Sequence, residues 1–139
     1  MADIVKIGLL VLRGDQILFC RKDRDTSKLI MPGGRIEAGE SETACLAREL
    51  QEELGNVTCA DLERLGTYED IAAHDDPAMV KTLRMTLYRG RLIGEPRPCS
   101  EITQLVWFGP NSDRSQLSQI FLNQILPDLL RRRILPWGD

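Results

Sequence analysis

The sequence has only one histidine in 139 residues, His74, which excludes zinc sites built on imidazole. Its four cysteines, Cys20, Cys45, Cys59 and Cys99, are scattered and form no Cys-x-x-Cys pair. They read as reduced, small hydrophobic residues of a cytoplasmic protein. There is no excess of positive charge. Eighteen Lys and Arg stand against 21 Asp and Glu, a formal charge of -3, so a basic field for wrapping bulk nucleic acid is missing. No long apolar run exists either. Ile7 to Leu12 is interrupted by Gly8 and is too short to cross a bilayer, and no basic segment precedes it as in a signal peptide. Repeats, low-complexity tracts and linkers are absent. The expectation is a single domain over residues 1–139, long enough to bury a real core.

What remains is a clear succession of elements. Ile4 to Leu12 is β-branched and apolar enough for a buried strand, Arg13-Gly14-Asp15 forms a turn, and Gln16 to Arg21 is its hairpin partner. Lys22 to Lys28 reads as a loop, followed by a short strand from Leu29 that Pro32, Gly33 and Gly34 bring to a stop. Residues 41–54 predict a helix capped by Ser41 and ended by Gly55. Leu46, Ala47, Leu50 and Leu54 would form its apolar face, with Cys45 and the charged residues opposite. Val57 to Ile71, Val80 to Tyr88 and Leu105 to Phe108 are further strands. In the second of these, Leu83, Met85 and Leu87 point one way. A second helix starts near Asp113 and should end or kink at Pro127. This order predicts an α/β (α+β) sandwich, a mixed sheet with helices packed on its faces.

The acids are unevenly distributed. Six of the 21, Glu37, Glu40, Glu42, Glu49, Glu52 and Glu53, fall within seventeen residues. On a helix Glu49, Glu52 and Glu53 share one patch and repel one another. Arg48 alone cannot neutralise all three. A hard divalent cation would, and with no Cys or His ligand nearby that ion is Mg2+ or Mn2+. The competing reading is a solvated acidic helix face. The Gly33-Gly34 turn ahead of the helix favours the site, because glycines let main-chain groups approach an ion or phosphate.

Residues 34–55 resemble the Nudix box of the Nudix hydrolase superfamily. Gly34, Glu40, Arg48, Glu49, Glu52, Glu53 and Gly55 match all seven fixed letters of Gly-x5-Glu-x7-Arg-Glu-apolar-x-Glu-Glu-x-Gly. Chance would give such a match in fewer than about one in a million chains of this length. Asn56 departs from the pattern, where the family prefers an apolar residue, and Val57 follows one place late. Met31-Pro32-Gly33-Gly34, and Glu101-Ile102 followed by Trp107, are also similar to family segments.

The resemblance implies a Nudix-type α/β/α sandwich. It further implies metal-dependent hydrolysis of a pyrophosphate bond in a nucleoside diphosphate linked to another group, nucleoside triphosphates and nucleotide sugars included. Glu52 and Glu53 with the Gly33 carbonyl would hold Mg2+, with Mn2+ an alternative, and Glu49 would be a further ligand or the base for water. Arg48, with Glu40 in support and Gly34 at the close turn, would orient the glutamates. A later carboxylate would join them, Glu101 in the first place and Glu95 in the second. The partner implied is a small-molecule nucleotide, with neither bulk nucleic acid nor membrane. Signals that often mark subfamilies are out of place here: Pro77 comes late and Tyr68 early. A non-catalytic Nudix-like module that senses a nucleotide or holds a partner is the alternative.

Other features have simpler readings. Gly33-Gly34 is not followed by Gly-Lys-Ser/Thr, so it is no P-loop. His74 reads as an exposed loop residue, Phe19, Tyr68, Tyr88 and Trp107 as core, and Arg131-Arg132-Arg133 as a solvated helix end. Leu129, Leu130, Ile134, Leu135 and Trp137 either bury against a second subunit, giving a homodimer, or pack back onto the sheet.

Overall fold

The first strand shows how the chain builds two sheets from one apolar run. In the computed structural model, which describes residues 1–138, β1 spans Ile4–Leu10 and ends at Val11. The chain then crosses into a second sheet as β2, Leu12–Arg13, and turns into β3, Gln16–Lys22. The remaining strands are β4 (Gly33–Arg35), β5 (Thr58–Ile71), β6 (Thr82–Ile93) and β7 (Ile102–Phe108). One sheet has the order β4-β1-β6-β5, with β1 and β6 parallel and its other pairs antiparallel. The other, β2-β3-β7, is antiparallel. The expected strand from Leu29 is corrected by one detail. The glycines do not stop it; they form β4 themselves, while Leu29 and Ile30 make only isolated bridges.

Helix α1, Glu42–Leu54, begins where predicted: the Ser41 side chain accepts the Ala44 N–H at 3.1 Å. The Gly55 N–H closes it on the Gln51 carbonyl. Its buried face is Cys45, Leu46, Leu50, Glu53 and Leu54, whereas Ala47 is exposed. The predicted face is therefore rotated. Cys45 replaces Ala47, and a glutamate is drawn into the buried stripe. This face packs on Ile7, Leu9 and Leu18.

The opposite face of the sheets carries a second core, in which Leu10, Phe19, Leu83 and Met85 meet Phe121, Ile125 and Leu129. Phe19 contacts Phe108 and Phe121 edge-to-face, at centroid distances of 5.7 and 5.1 Å. The C-terminal region differs from the helix expected from Asp113. A 3-10 turn, Arg114–Gln116, comes first, followed by a helix whose turn Phe121–Ile125 is wound as π and which continues as α2, Leu126–Arg131. Pro127 does not end it. Proline lacks an N–H and its ring crowds the carbonyl four residues back, and the wider preceding turn accommodates both. The Leu126 N–H accordingly bonds to Phe121 O, five residues back. Leu129, Leu135 and Trp137 pack back into this core, and the indole N–H of Trp137 donates to the Asp15 carbonyl. No described helix is long and apolar enough to cross a membrane.

Candidate active site

A cleft of about 540 Å³ is lined by residues of both sheets and of α1. At one end its wall is acidic. Glu49, Glu52 and Glu53 of α1 line it together with Glu101, which sits in the turn before β7. Glu95 is exposed and outside the lining.

Glu53 is the buried member, 5% exposed. Its Oε1 accepts the Gly33 N–H at 2.9 Å. Burial pushes its carboxyl up to about 8, against the pull of that N–H, and the neighbouring charge of Glu49 adds to the rise. Glu49 is also raised, first by burial, while its bond to Arg48 opposes the shift.

Two glycines make this packing possible. Gly33 has φ +136°, and a Cβ there would fall 2.0 Å from the Ile7 carbonyl oxygen of β1. At Gly34 a Cβ would lie 2.2 Å from the carboxyl carbon of Glu49. The carboxylate occupies the space that any other residue's side chain would fill.

Arg48 organises the acids from the side. Its Nε and Nη2 donate to the two oxygens of Glu40 at 2.7 and 2.9 Å, and Nη2 also reaches the Arg35 carbonyl at 3.0 Å. Nη1 donates to Glu49 at 2.8 Å and, more weakly, to Glu52 at 3.4 Å. The bond from Arg48 holds the Glu40 carboxyl down at about 2. On the far wall Glu101 lies 3.8 Å from Lys22 and 3.8 Å from Arg24.

The donor set is all carboxylate, with one buried oxygen already fixed by a backbone amide, and it fits a hard divalent cation. Among the described residues, no three potential ligands already converge as a finished metal cage.

The other end of the cleft is apolar, lined by Met31, Leu83, Met85, Ile120, Phe121 and Ile125. Thr26 and Ser118, both nearly buried, add hydroxyls to it. His74 lines the cleft as well and is half-buried, which corrects its reading as an exposed loop residue; its Nδ1 accepts the Asp76 N–H. Trp107 is half-buried rather than core, with the Arg13 guanidinium 4.0 Å above its ring. Arg131, Arg132 and Arg133 are exposed at the end of α2, as read, and the first two also pair with Asp128.

Sequence reasoning assembled the acidic end and missed the apolar one, whose residues come from distant segments. It also missed Lys6, which lines the cleft from β1. The available signal was a charge inside an otherwise apolar strand.

Against known proteins, the profile of the NUDIX domain matches residues 4–127. A Mycobacterium tuberculosis protein provisionally named 8-oxo-dGTP diphosphatase 2 is 36% identical over 104 residues, 70% of this chain and 67% of its own. The NAD-capped RNA hydrolase NudC of Pseudomonas aeruginosa is 42% identical over 65 residues, 42% of this chain and 21% of its own. Among solved structures, a NUDIX hydrolase from Nitrosomonas europaea superposes with a TM-score of 0.74 at 20% identity, covering 93% of this chain and 89% of that one.

Proposed function

The chain belongs to the NUDIX domain family and is a Nudix-type pyrophosphohydrolase; on that premise we propose that its substrate is a nucleoside diphosphate joined to a further group. Nucleoside triphosphates, oxidised purine forms among them, head the class, because two matched relatives are named for 8-oxo-dGTP. One observation carries the reading: a single cleft is acidic at one end and apolar at the other. An apolar pocket suits a base, and an acid cluster suits a metal-bound pyrophosphate.

Glu49, Glu52 and Glu53, with the Gly33 carbonyl, would hold a divalent cation, Mg2+ or Mn2+. When bound, that ion draws charge from the pyrophosphate oxygens and acidifies the attacking water. The chain's own residues do the rest. The Gly33 N–H fixes one oxygen of Glu53. Arg48, anchored on Glu40, keeps Glu49 and Glu52 from drifting apart. Glu49 and Glu101 are the carboxylates available to accept the proton of the water. Phosphoryl chemistry asks for placement and charge compensation rather than a covalent nucleophile, and the cleft offers no Ser or Cys paired with its histidine. The free cysteines support a reducing cytoplasm as its location.

The test is a screen of purified protein with Mg2+ or Mn2+. The substrates are 8-oxo-dGTP, the ordinary nucleoside triphosphates, ADP-ribose, nucleotide sugars and NAD. Phosphate, pyrophosphate and nucleoside monophosphate are read by chromatography. Turnover of at least one substrate is expected, with a loss of about 100-fold or more in Glu53→Gln. A panel left intact overturns the proposal, and nucleotide binding without turnover points to a sensing module instead.

A further inference from the structure

On β1 the alternation of a strand places Ile4, Lys6, Gly8 and Leu10 on one face. That face looks onto the core of Leu83, Met85 and Phe121, and Ile4 and Leu10 pack there as expected. Lys6 breaks the row. It is half-buried and lines the cleft. Among the described residues it makes no ion pair and no side-chain hydrogen bond, whereas Lys22 reaches Asp25 at 3.6 Å and Glu101 at 3.8 Å. Arg35 and Lys81 also line the cleft, but they are exposed and solvated. A half-buried ammonium without a counter-ion weakens a fold. Glu53 and Glu101 attract it from a distance, but neither pairs with it, so no direct contact within the fold uses this charge.

The strand register locates Lys6 within the cleft. Its Cα neighbours are Arg35 on β4 and Met85 on β6. β4 carries Gly33 and Gly34, against which Glu53 and Glu49 rest. Met85 belongs to the apolar end. Lys6 therefore stands where the acidic and apolar ends meet. A nucleotide lying along the cleft has one anionic group at that junction, the phosphate attached to the nucleoside.

We propose that Lys6 receives the nucleoside-proximal phosphate of the substrate and so separates nucleotides from unphosphorylated planar ligands that fit the same apolar end. This rests on the reading of the cleft as a nucleotide site.

The test compares wild type with Lys6→Met, which keeps length and removes charge. Binding of dGMP and of deoxyguanosine is measured by calorimetry with Mg2+ present, alongside melting temperature and steady-state kinetics. Lys6→Met should bind dGMP at least tenfold more weakly, consistent with loss of one charged hydrogen bond. Deoxyguanosine binding should change less than twofold. The melting temperature should stay or rise, since an uncompensated cation is gone. KM should rise more than kcat falls.

Equal weakening of both ligands, or unchanged dGMP affinity, overturns the inference. So does a wild type that binds neither ligand or binds both equally. A fall in melting temperature, repeated in Lys6→Gln, marks a structural role and also overturns it. The two readings fail separately. A wild type that hydrolyses nothing yet prefers dGMP through Lys6 sinks hydrolysis alone. An active wild type whose Lys6→Met form binds dGMP normally sinks the role of Lys6 alone.

Discussion

Glu53→Gln should make the metal-free protein more stable in alkali while removing its activity. Glu53 is 5% exposed, and burial raises its carboxyl from the 4.5 of a free glutamate to about 8. The folded state therefore keeps a proton that the unfolded chain releases. Between about pH 4.5 and 8 the native state binds more protons than the unfolded state, so stability falls as pH rises, and the loss is complete above pH 8. At 1.36 kcal/mol per tenfold change in proton affinity, the ceiling is about 5 kcal/mol. Relaxation and water entry lower such figures, so about 2–4 kcal/mol is the working expectation. Glutamine has the same shape, keeps an oxygen for the Gly33 N–H and cannot ionise. In EDTA at pH 9 the variant should melt about 6–15 °C above wild type, and at pH 5 the two should nearly coincide. Mg2+ should raise the wild-type curve at pH 9 and leave the variant unmoved. Melting curves that run parallel from pH 5 to 9, or a variant less stable at pH 9, would refute the buried ionisation on which this reasoning rests.

Two substitutions probe the rest of the acidic end. Gly34→Ala puts a methyl group 2.2 Å from the Glu49 carboxyl carbon, so Glu49 must move; kcat/KM should fall about 100-fold and Mn2+ binding, followed by electron paramagnetic resonance, should weaken. Wild-type kinetics in this variant would show that Glu49 plays no part in the site. Arg48→Lys keeps the charge but not the fork that spans Glu40, Glu49 and the Arg35 carbonyl. It should cost about 1–2 kcal/mol in urea unfolding and lower kcat tenfold or more.

How much of this was legible varied by element. The acids of α1 announced themselves by helical spacing and by the box. The burial of Glu53 was also written in the sequence, since it lies seven residues after Leu46 and three after Leu50, on the same stripe. Charge alone masked it. Val11 carries no local mark of the point where one apolar run divides between two sheets. Pro127 marked an irregular turn rather than an end, because a wider turn absorbs what a regular helix could not. The apolar end was out of reach for a different reason. Met31, Leu83 and Phe121 meet only through tertiary packing, and no periodicity along the chain relates them. Glu101 was reached through the resemblance, and its place on the cleft wall is consistent with the choice of it over Glu95.

The two ends of the cleft stand on different parts of the scaffold. The acids come from α1 with β4 against them, whereas most of the apolar wall comes from β6 and from the segment Ile120 to Ile125. Changes in that wall leave Gly33, Gly34, Arg48 and the glutamates untouched. On the proposed reading, what is recognised is thus separate from how the bond is broken. The rows that cross from β4 through β1 to β6, among them Arg35, Lys6 and Met85, tie the two together. A scaffold of this kind can be given a new ligand by redesign of the wall from Leu83 to Met85 and from Ile120 to Ile125 while the reaction centre is inherited whole.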